Sequence, residues 1–502
     1  MMTFKEWVAK RVAKRVFRQL QEQAIRAVDQ QKTILQKLLE KGSATSFGKD
    51  HGLKAGDDYY SFKSKVPIRD YEGLKAYFDR VKAGEEHVLW PGKPIYLSKT
   101  SGTTSGTKYI PITKDSMGHH ITAARNALLC YIETSGNSAF VNNKMIFLQG
   151  SPELDKSGSV PTGRLSGIVA NYVPAYLQKN RLPSYATNCI EDWEQKVDSI
   201  VDETWNQPMG LISGIPSWVQ MYYERLTERT GKKIGELFPQ FSLFVYGGVN
   251  FDPYRKRFDQ LIGRSVDVVQ TYPASEGFIA FQDRHQANDL LLNTNAGLFF
   301  EFIEPQYLDS QPDRRLMLDE VVTGVNYAII VSSNAGLWAY SLGDTVRFTS
   351  IKPYRIVVTG RIKHFTSAFG EHVIAEEVDR AMQEAVTGTN AVVREFTLAP
   401  QINPEKGLPY HEWFVEFEEP PAEPELFLQL LDQSMQRQNV YYRDLVQGSV
   451  LRPLIVSSVK AGSFTAYMKT QGKLGGQNKI PRLQNNRSIG DFLTPFVERQ
   501  FQ

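Results

Sequence analysis

Cysteine is almost absent from this chain. Only Cys130 and Cys189 occur among 502 residues, and neither has the spacing of a metal ligand. This scarcity argues against a disulfide framework and favours two reduced thiols in a cytoplasmic protein. No uninterrupted apolar run approaches the roughly 20 residues that span a bilayer. The basic residues near the N-terminus are not followed by a continuous apolar stretch, which argues against a secretory signal.

The chain also lacks a large excess of charge of either sign. Its 58 Lys and Arg against 55 Asp and Glu give a formal net charge of +3. A nearly neutral protein of this size does not indicate a nucleic-acid partner. The hydrophobic content of 41% and the aromatic content of 12% are ample for packed domains. The length exceeds what one core supports, so about two to four domains are expected.

Helical and strand-like patterns alternate along most of the chain, which favours a mixed α/β core. Apolar residues at helical spacing predict helices at 1–41, 114–135, 191–207 and 215–230. Buried strands are predicted at 145–148, 241–246, 266–272, 299–303 and 326–331. The first helix carries basic residues beside its apolar stripe. A packed helix with a solvated face is favoured over membrane contact, so no stable membrane association is expected.

The C-terminal part has a different rhythm. It predicts strands at 391–399, 411–417 and 450–458 and helices at 425–438 and 462–470. These elements form a small α+β unit with its own core. A strand-like run ends in a turn signal at Thr359-Gly360-Arg361. We therefore expect an N-terminal domain over residues 1–359 and a C-terminal domain over residues 360–502.

The segment Ser98–Lys108 contains only Ser, Thr and Gly apart from its two lysines, and β-like runs flank it. Such a loop can offer backbone N–H groups and hydroxyls to phosphate oxygens, and Lys108 adds a positive charge. The spacing excludes a Walker loop, because the glycines are four apart and Thr107 precedes the lysine. Taken alone, the segment is equally compatible with a surface linker.

Three further segments follow strands, where ligands of α/β proteins gather. Tyr272–Gly277 is a turn that can project the carboxylate of Glu276, a hard oxygen ligand suited to magnesium. In Tyr340–Asp344, glycine allows a tight turn, and Asp344 can accept hydrogen bonds from vicinal hydroxyls such as those of ribose. Gly360–Val373 reads as a hinge followed by a basic hairpin. Each has a simpler reading as a capping residue or a surface turn.

The order of these motifs resembles the adenylate-forming superfamily of acyl-CoA synthetases, peptide-synthetase adenylation domains and luciferases. The closer resemblance is to its acyl-acid amido synthetase branch, the auxin-responsive Gretchen Hagen family of plants with its bacterial relatives. The segments Thr45–Lys49, Val66–Glu72 and Gly475–Arg482 also match that branch. The resemblance covers about residues 20 to 495. It implies a large N-terminal adenylate-forming domain with mixed sheets and helices, and a small mobile C-terminal α+β domain.

The resemblance implies a nucleotide site, and its residues are carried over position by position. The phosphate loop would be formed by Ser101, Gly102, Thr103, Thr104 and Ser105. The adenine would be flanked by Gly248, Thr271 and Tyr272. Asp344 would bind the ribose, and Arg361 would lie at the interdomain hinge. Glu276 would hold Mg²⁺, and Lys479 would be the mobile-domain lysine that approaches the phosphate and the acyl carboxylate. Asn478 and His372 replace the Tyr and Lys of plant members near the amine site.

The implied reaction has two halves. A small carboxylic acid and ATP give an acyl-adenylate, and an amine, expected to be an amino acid, then forms the amide. An acyl-CoA ligase and a non-catalytic nucleotide-binding homologue stay open as alternatives. Aromatic residues of the 120–220 helices, such as Trp218 or Tyr222, are candidates for the acyl pocket. Neither the acid nor the oligomeric state is specified.

Overall fold

The computed structural model describes most of the chain. The described residues are 2–101, 107–172, 179–190, 192–248, 251–362, 365–366, 369, 373–402, 404, 407–447, 450–472, 474, 479–484 and 486–502. The chain divides into two compact units. The first comprises Met1–Gly248 and Ser265–Val357, and the second comprises Val249–Arg264 and Val358–Gln502.

The first unit begins with a series of helices, mixes helices and strands in its middle and ends in a series of strands. The helices are α1 Phe4–Ile25, α2 Ala27–Gly42, α3 Ser46–Asp50, α4 Tyr59–Lys65, α5 Tyr71–Ala83, α6 Lys114–Ser135, α7 Leu165–Ala170, α8 Tyr185–Cys189, α9 Trp193–Thr204, α10 Pro216–Thr230 and α11 Ile234–Leu237. The strands are β1 Tyr96–Ser101, β2 Thr107–Ile112, β3 Lys144–Phe147, β4 Thr162–Gly163, β5 Arg181–Leu182, β6 Met209–Ser213, β7 Leu243–Gly247, β8 Asp267–Ala274, β9 Gly277–Phe281, β10 Leu290–Leu292, β11 Leu298–Ile303, β12 Asn326–Ser333, β13 Tyr340–Ile351 and β14 Tyr354–Arg361. Short 3₁₀ turns lie at Ala139–Asn142, Pro305–Tyr307, Pro312–Arg314 and Leu318–Glu320.

An 11-stranded mixed sheet is the scaffold of the first unit. Its strand order is β11-β12-β13-β14-β10-β9-β8-β7-β6-β3-β5. The strands from β5 through β3, β6 and β7 to β8 run parallel, whereas β9 turns back antiparallel on β8. The carboxyl ends of parallel strands share one edge of a sheet, which is where ligands of such folds gather. A smaller sheet, β2-β1-β4, contains the strands that flank the Ser/Thr/Gly segment.

Local sequence explains why α6 begins and ends as predicted. Thr113 caps its N-terminus by accepting from the amide of Ser116, and the Ser116 hydroxyl accepts from the amide of Thr113. Gly136 ends the helix in the left-handed conformation. The predicted helix over 114–135 is thereby confirmed. The helix predicted over 1–41 is present as α1 and α2, which are separated at Arg26 by a non-helical backbone conformation.

The apolar stripe of α1 is only partly buried. Ala13 is fully buried, and Phe17 and Leu20 pack into a cluster that includes residues of α6. Phe4, with 78% of its surface exposed, and Trp7 remain outside the core. The predicted packing face is therefore correct only for the C-terminal half of the helix. In the described part of the chain, no helix combines the length and apolarity needed to cross a membrane.

The second unit is an α+β fold around a four-stranded sheet. The described elements of the unit are α12 Asp252–Ile262, β15 Phe365–Thr366, β16 Val373–Ile374, α13 Ala375–Thr389, β17 Val392–Gln401, β18 Tyr410–Glu419, α14 Pro424–Gln438, α15 Val440–Gln447, β19 Ile455–Val459, α16 Ser463–Thr470, α17 Ser488–Leu493, a 3₁₀ turn at Thr494–Phe496 and β20 Val497–Phe501. The strand order in the sheet is β17-β18-β19-β20. The predicted mixed α+β character is confirmed, although β19 begins later than the predicted strand at 450–458.

A buried arginine explains why Val249–Arg264 belongs to the second unit. Arg482 forms an ion pair with Asp379 at 3.0 Å and a second with Glu395. Its guanidinium also donates to the phenol oxygen of Tyr254 in α12, at 2.7 Å. Burial raises the pKa of Asp379 to about 6, although the arginine charge opposes that shift. Sequence patterns gave no sign that α12 separates from its neighbours in the chain.

A second buried ion pair supports the first unit. Arg315 Nε lies 2.9 Å from Glu301 Oε1, and both side chains are almost completely buried. Arg315 also donates to the carbonyl oxygen of Val66, at 2.8 Å. Val66 lies three residues before Arg69, and Arg69 forms a parallel β-bridge with Tyr340 at the start of β13. The ion pair therefore stabilises the segment that supports β13.

We predict that Arg315→Met destabilises the protein strongly, because Glu301 is left buried without its counter-charge. Breaking one partner of such a pair costs about 3–5 kcal/mol, whereas replacing both partners by apolar groups is far milder. Denaturant unfolding of Arg315→Met and of Arg315→Met/Glu301→Met measures the difference. Arg314→Met, at an exposed neighbour, is the matched control. Equal stability of the Arg315 and Arg314 variants would contradict the role of the pair.

Candidate active site

The turn between β8 and β9 carries the first predicted carboxylate. β8 ends at Ala274 and β9 begins at Gly277, so Ser275 and Glu276 form a two-residue hairpin turn. The Ser275 hydroxyl lies 2.8 Å from that of Ser98 in β1. The predicted turn at Glu276 is confirmed, and the structure brings it next to the strand that leads into the Ser/Thr/Gly segment.

The second predicted carboxylate is held by a tyrosine. The phenol of Tyr272 donates to Asp344 Oδ2 at 2.6 Å. Asp344 was expected in a tight turn, but it lies inside β13. Ala328 of β12 pairs with Thr345 and Ile330 pairs with Ser341, so residues 342–344 bulge opposite one residue. Gly343 has φ +79° within this bulge, which a residue with a Cβ rarely adopts.

Tyr340 links β13 to Glu276, and sequence reasoning gave it no role. Its side chain is 1% exposed. Burial, together with the charge of and a hydrogen bond to Glu276, raises the pKa of Tyr340 well above its ordinary value. The phenol therefore stays protonated and donates to the Glu276 carboxylate. A bridge from Arg69 holds the same backbone: Ser341 N donates to Arg69 O at 2.8 Å. The sequence signal that could have identified this residue is its place at the start of the segment Tyr340–Asp344.

The ends of β7 and β8 approach closely because β7 ends in glycine. A Cβ at Gly247 would lie 2.6 Å from the carbonyl oxygen of Thr271. The Thr271 hydroxyl donates to Tyr246 O at 3.0 Å. Gly248 follows with φ +88°. The structure thus brings Gly248, Thr271 and Tyr272 to the sheet edge that carries Glu276.

Part of the predicted phosphate loop lies outside the described residues. These are Gly102, Thr103, Thr104 and Ser105, and only the backbone of Ser101 is described. The flanking strands are described: β1 and β2 pair antiparallel, with Tyr96 opposite Ile112 and Ser101 opposite Thr107. The predicted β-like runs are confirmed. Lys108 Nζ lies 5.7 Å from the ring of Tyr71.

The remaining predicted residues belong to the second unit. β14 begins in the first unit and ends beyond the boundary at Arg361, whose side chain is exposed; Lys479 is also exposed. Lys479 is followed by the buried Ile480 and, two residues later, by the buried Arg482. His372 and Asn478 lie outside the described residues. The assignments of Lys479 and Arg361 stay predictions.

The carboxylates fit a metal ion only together with a nucleotide. Among the described side chains, no group of three or more His, Cys, Asp and Glu is arranged to hold a metal by itself. Mg²⁺ is commonly bound by one or two carboxylates together with substrate phosphates and water. Glu276, at a hairpin turn beside the Ser/Thr-rich strands, suits that mode. Cys130 and Cys189 are both free thiols.

Comparison with known proteins identifies the fold and the family. The fold matches the solved GH3.15 acyl acid amido synthetase with a TM-score of 0.80 at 15% identity, covering 97% of this chain and 96% of that one. Three family models match: the GH3 family N-terminal domain at residues 16–183, the central domain at 291–361 and the C-terminal domain at 376–488. The chain therefore has an adenylate-forming fold, and it belongs to the GH3 family.

Curated relatives agree with this assignment. Jasmonoyl–L-amino acid synthetase GH3.5 of Oryza sativa subsp. japonica is 33% identical over 406 residues, which cover 63% of this chain and 67% of that protein. Jasmonoyl–L-amino acid synthetase JAR4 of Nicotiana attenuata is 26% identical over 388 residues. That match covers 63% of this chain and 66% of the relative. The chain thus spans about two thirds of the length of these relatives.

We predict that Gly247→Ala disrupts the site, because the new methyl group meets backbone rather than a movable side chain. Overpacking of this kind costs about 1–3 kcal/mol. Gly56→Ala is the matched control, since a Cβ there has no atom within 4 Å. Thermal unfolding of both variants tests the prediction. A melting temperature of Gly247→Ala equal to that of Gly56→Ala would show that β7 and β8 can separate without cost.

Proposed function

We propose that this protein is an ATP-dependent acyl-acid amido synthetase. It adenylates a small carboxylic acid and then transfers the acyl group to an amine, for which an amino acid is the expected acceptor. One observation supports this most: Tyr272 of β8 holds Asp344 in β13, and Tyr340 of β13 holds Glu276 in the β8–β9 turn. Jasmonoyl–amino acid synthetases among the relatives suggest the acceptor class.

Asp344 is suited to bind the ribose of ATP. A carboxylate has about four lone-pair positions on its two oxygens. The phenol of Tyr272 occupies one position on Oδ2 and fixes the plane of the group. Vicinal hydroxyls can donate to the others, and charge-assisted bonds of this kind are stronger than neutral ones. Gly248 and Thr271 would flank the adenine on the neighbouring strand ends.

Glu276 is suited to hold the magnesium ion that accompanies ATP. The Tyr340 phenol donates to this carboxylate and keeps it at the hairpin turn. Mg²⁺ bound there with the phosphates would offset their negative charge. Ser101, Gly102, Thr103, Thr104 and Ser105 would surround the same phosphates through hydroxyl and backbone N–H groups.

The chemistry demands positioning more than covalent catalysis. In the first half, a carboxylate oxygen of the acid forms a bond to the α-phosphorus of ATP, and pyrophosphate leaves. In the second, the amine attacks the acyl carbon, and AMP leaves with the bonding electrons. Aligned reactants and preorganised charge account for such steps. Lys479 would offset the charge on the phosphate and the acid, and the second unit would rotate between the halves.

The alternatives differ in a measurable way. An acyl-CoA ligase shares the first half-reaction and uses CoA as the acceptor. A non-catalytic homologue binds ATP and releases no pyrophosphate. A screen of carboxylic acids for pyrophosphate release, repeated with amino acids or CoA, separates the three. Acid-dependent release with amide formation supports the proposal, and thioester formation would overturn it in favour of the ligase.

We predict that Asp344→Ala weakens ATP binding by about tenfold or more, because charge-assisted hydrogen bonds contribute about 1.5–3 kcal/mol. Isothermal titration with ATP and Mg²⁺ measures the dissociation constant. Asp309→Ala, at an exposed carboxylate of the same unit, is the control. Unchanged affinity in Asp344→Ala would rule out ribose binding by this residue.

We predict that Lys479→Ala slows adenylation by about 100-fold or more while ATP binding stays near the wild-type value, since a charge used in the transition state acts mainly on the rate. Single-turnover pyrophosphate release measures the rate, and titration measures the affinity. Lys460→Ala, at another exposed lysine of the second unit, should behave as wild type. A wild-type rate in Lys479→Ala would remove this lysine from the reaction.

A further inference from the structure

Hydrogen-bond donors accumulate near the carboxyl end of β3 in the first unit. Lys196 of α9 is 2% exposed and donates to the carbonyl oxygens of Gln149, at 3.2 Å, and Asn188, at 2.5 Å. The side chain of Arg164 lies against Gly150, the residue after Gln149, so closely that a Cβ on Gly150 would clash with it. We define Gln149, Arg164, Trp193 and Lys196 as the donor cluster.

Lys196 has acceptors, whereas the other three side chains of the donor cluster have none among the described residues. Trp193 is 4% exposed, and its Nε1 has no hydrogen-bond partner. The Nε2 of Gln149 is likewise buried without a partner. Arg164 is half-buried, and within the part of the chain that is described its guanidinium forms neither an ion pair nor a hydrogen bond. Three neighbouring side chains therefore carry donors for which the described residues supply no acceptor.

Two described carboxylates near the cluster, Asp155 and Glu203, have partners of their own. Asp155 lies 3.6 Å from Lys99, and Glu203 accepts from the hydroxyl and the amide of Ser184. A buried cation without a counter-ion is costly, and groups with pKa values perturbed by burial cluster at functional sites.

The pKa shifts agree with this geometry. Burial lowers the pKa of Arg164. Burial also lowers the pKa of Lys196 to about 8, and the Arg164 charge adds to that shift, although Cys189 opposes it. The two cations are thus close enough to repel each other. Arg181, beside the same strand, is a further cation whose pKa burial lowers, and it donates to the carbonyl oxygen of Ala170.

The donor cluster borders the proposed active site along the backbone. Gly163, next to Arg164, pairs with Ser98 in the β1–β4 ladder. Ser98 contacts Ser275, which precedes Glu276. The Trp193 ring also lies 4.8 Å from the ring of Trp218, so apolar surface adjoins the unpaired indole nitrogen. This combination suits an apolar substrate that ends in an anion.

We propose that the donor cluster binds a substrate carboxylate other than the one that is adenylated. Arg164 would pair with it, and the indole of Trp193 and the amide of Gln149 would complete its hydrogen bonds. This inference rests on the proposed function. The carboxylate has two possible sources: the far end of a dicarboxylic acid, or the α-carboxylate of the amino-acid acceptor.

Matched ligand pairs test the donor cluster without requiring turnover. The first arm concerns the acid and compares glutarate, adipate and pimelate with their monomethyl esters. The second arm concerns the amine and compares alanine, aspartate and phenylalanine with their amides. Calorimetry measures binding to the full-length wild type, Arg164→Gln and the control Arg15→Gln, at an exposed arginine of α1. The wild type and the control should prefer the charged member by about tenfold or more in one arm, as expected for a charge-assisted pair.

Arg164→Gln should abolish that preference, and the arm that loses it identifies the source of the carboxylate. An equal preference in the variant, or none in the wild type in either arm, would overturn the proposal. Because Arg164 forms no side-chain bond among the described residues, the ligand-free variant should melt no lower than the wild type. A large drop would assign Arg164 a structural role and also overturn the proposal. Pyrophosphate release, measured separately, reports on the proposed function.

Discussion

Two tyrosine–carboxylate contacts hold the candidate site together. The phenols of Tyr272 and Tyr340 donate to Asp344 and Glu276, and both phenols are buried. A buried phenol stays protonated near neutral pH, so each contact persists as a donor to a carboxylate. One carboxylate lies in the β13 bulge and the other in the β8–β9 turn, and these bonds hold each in place. Binding of ribose and magnesium by these groups would depend on this fixed orientation.

The backbone makes those contacts possible at the cost of local irregularity. Gly343 permits the bulge that turns Asp344 toward Tyr272, and Gly247 allows β7 to end against Thr271. A Cβ at Gly247 would clash with backbone, whereas at Gly343 the positive φ rather than a clash disfavours a larger residue. Gly247 lies at a strand end and Gly343 within a bulge, and such irregular positions are common next to functional sites. The buried ion pair of Arg315 and Glu301 stabilises the Val66–Arg69 segment, which bridges to the start of β13.

The sequence predicted what local patterns encode. The helix over 114–135 followed from its apolar spacing, and the turn at Glu276 followed from the turn residues on either side of it. The role of Tyr340 was missed because it depends on a contact with Glu276, which lies far away in the chain. The same holds for the placement of α12 in the second unit. The donor cluster was missed because Arg164 and Lys196 look like ordinary surface cations until their burial is known.

A crystal structure with AMP and Mg²⁺ tests the central claim most directly. The account predicts ribose hydroxyls within hydrogen-bond distance of Asp344, adenine beside Gly248 and Thr271, and the phosphate near Ser98, Ser275 and Glu276. Binding of AMP at another place, or a ribose with no contact to Asp344, would contradict the claim that the two tyrosine-held carboxylates form a nucleotide site.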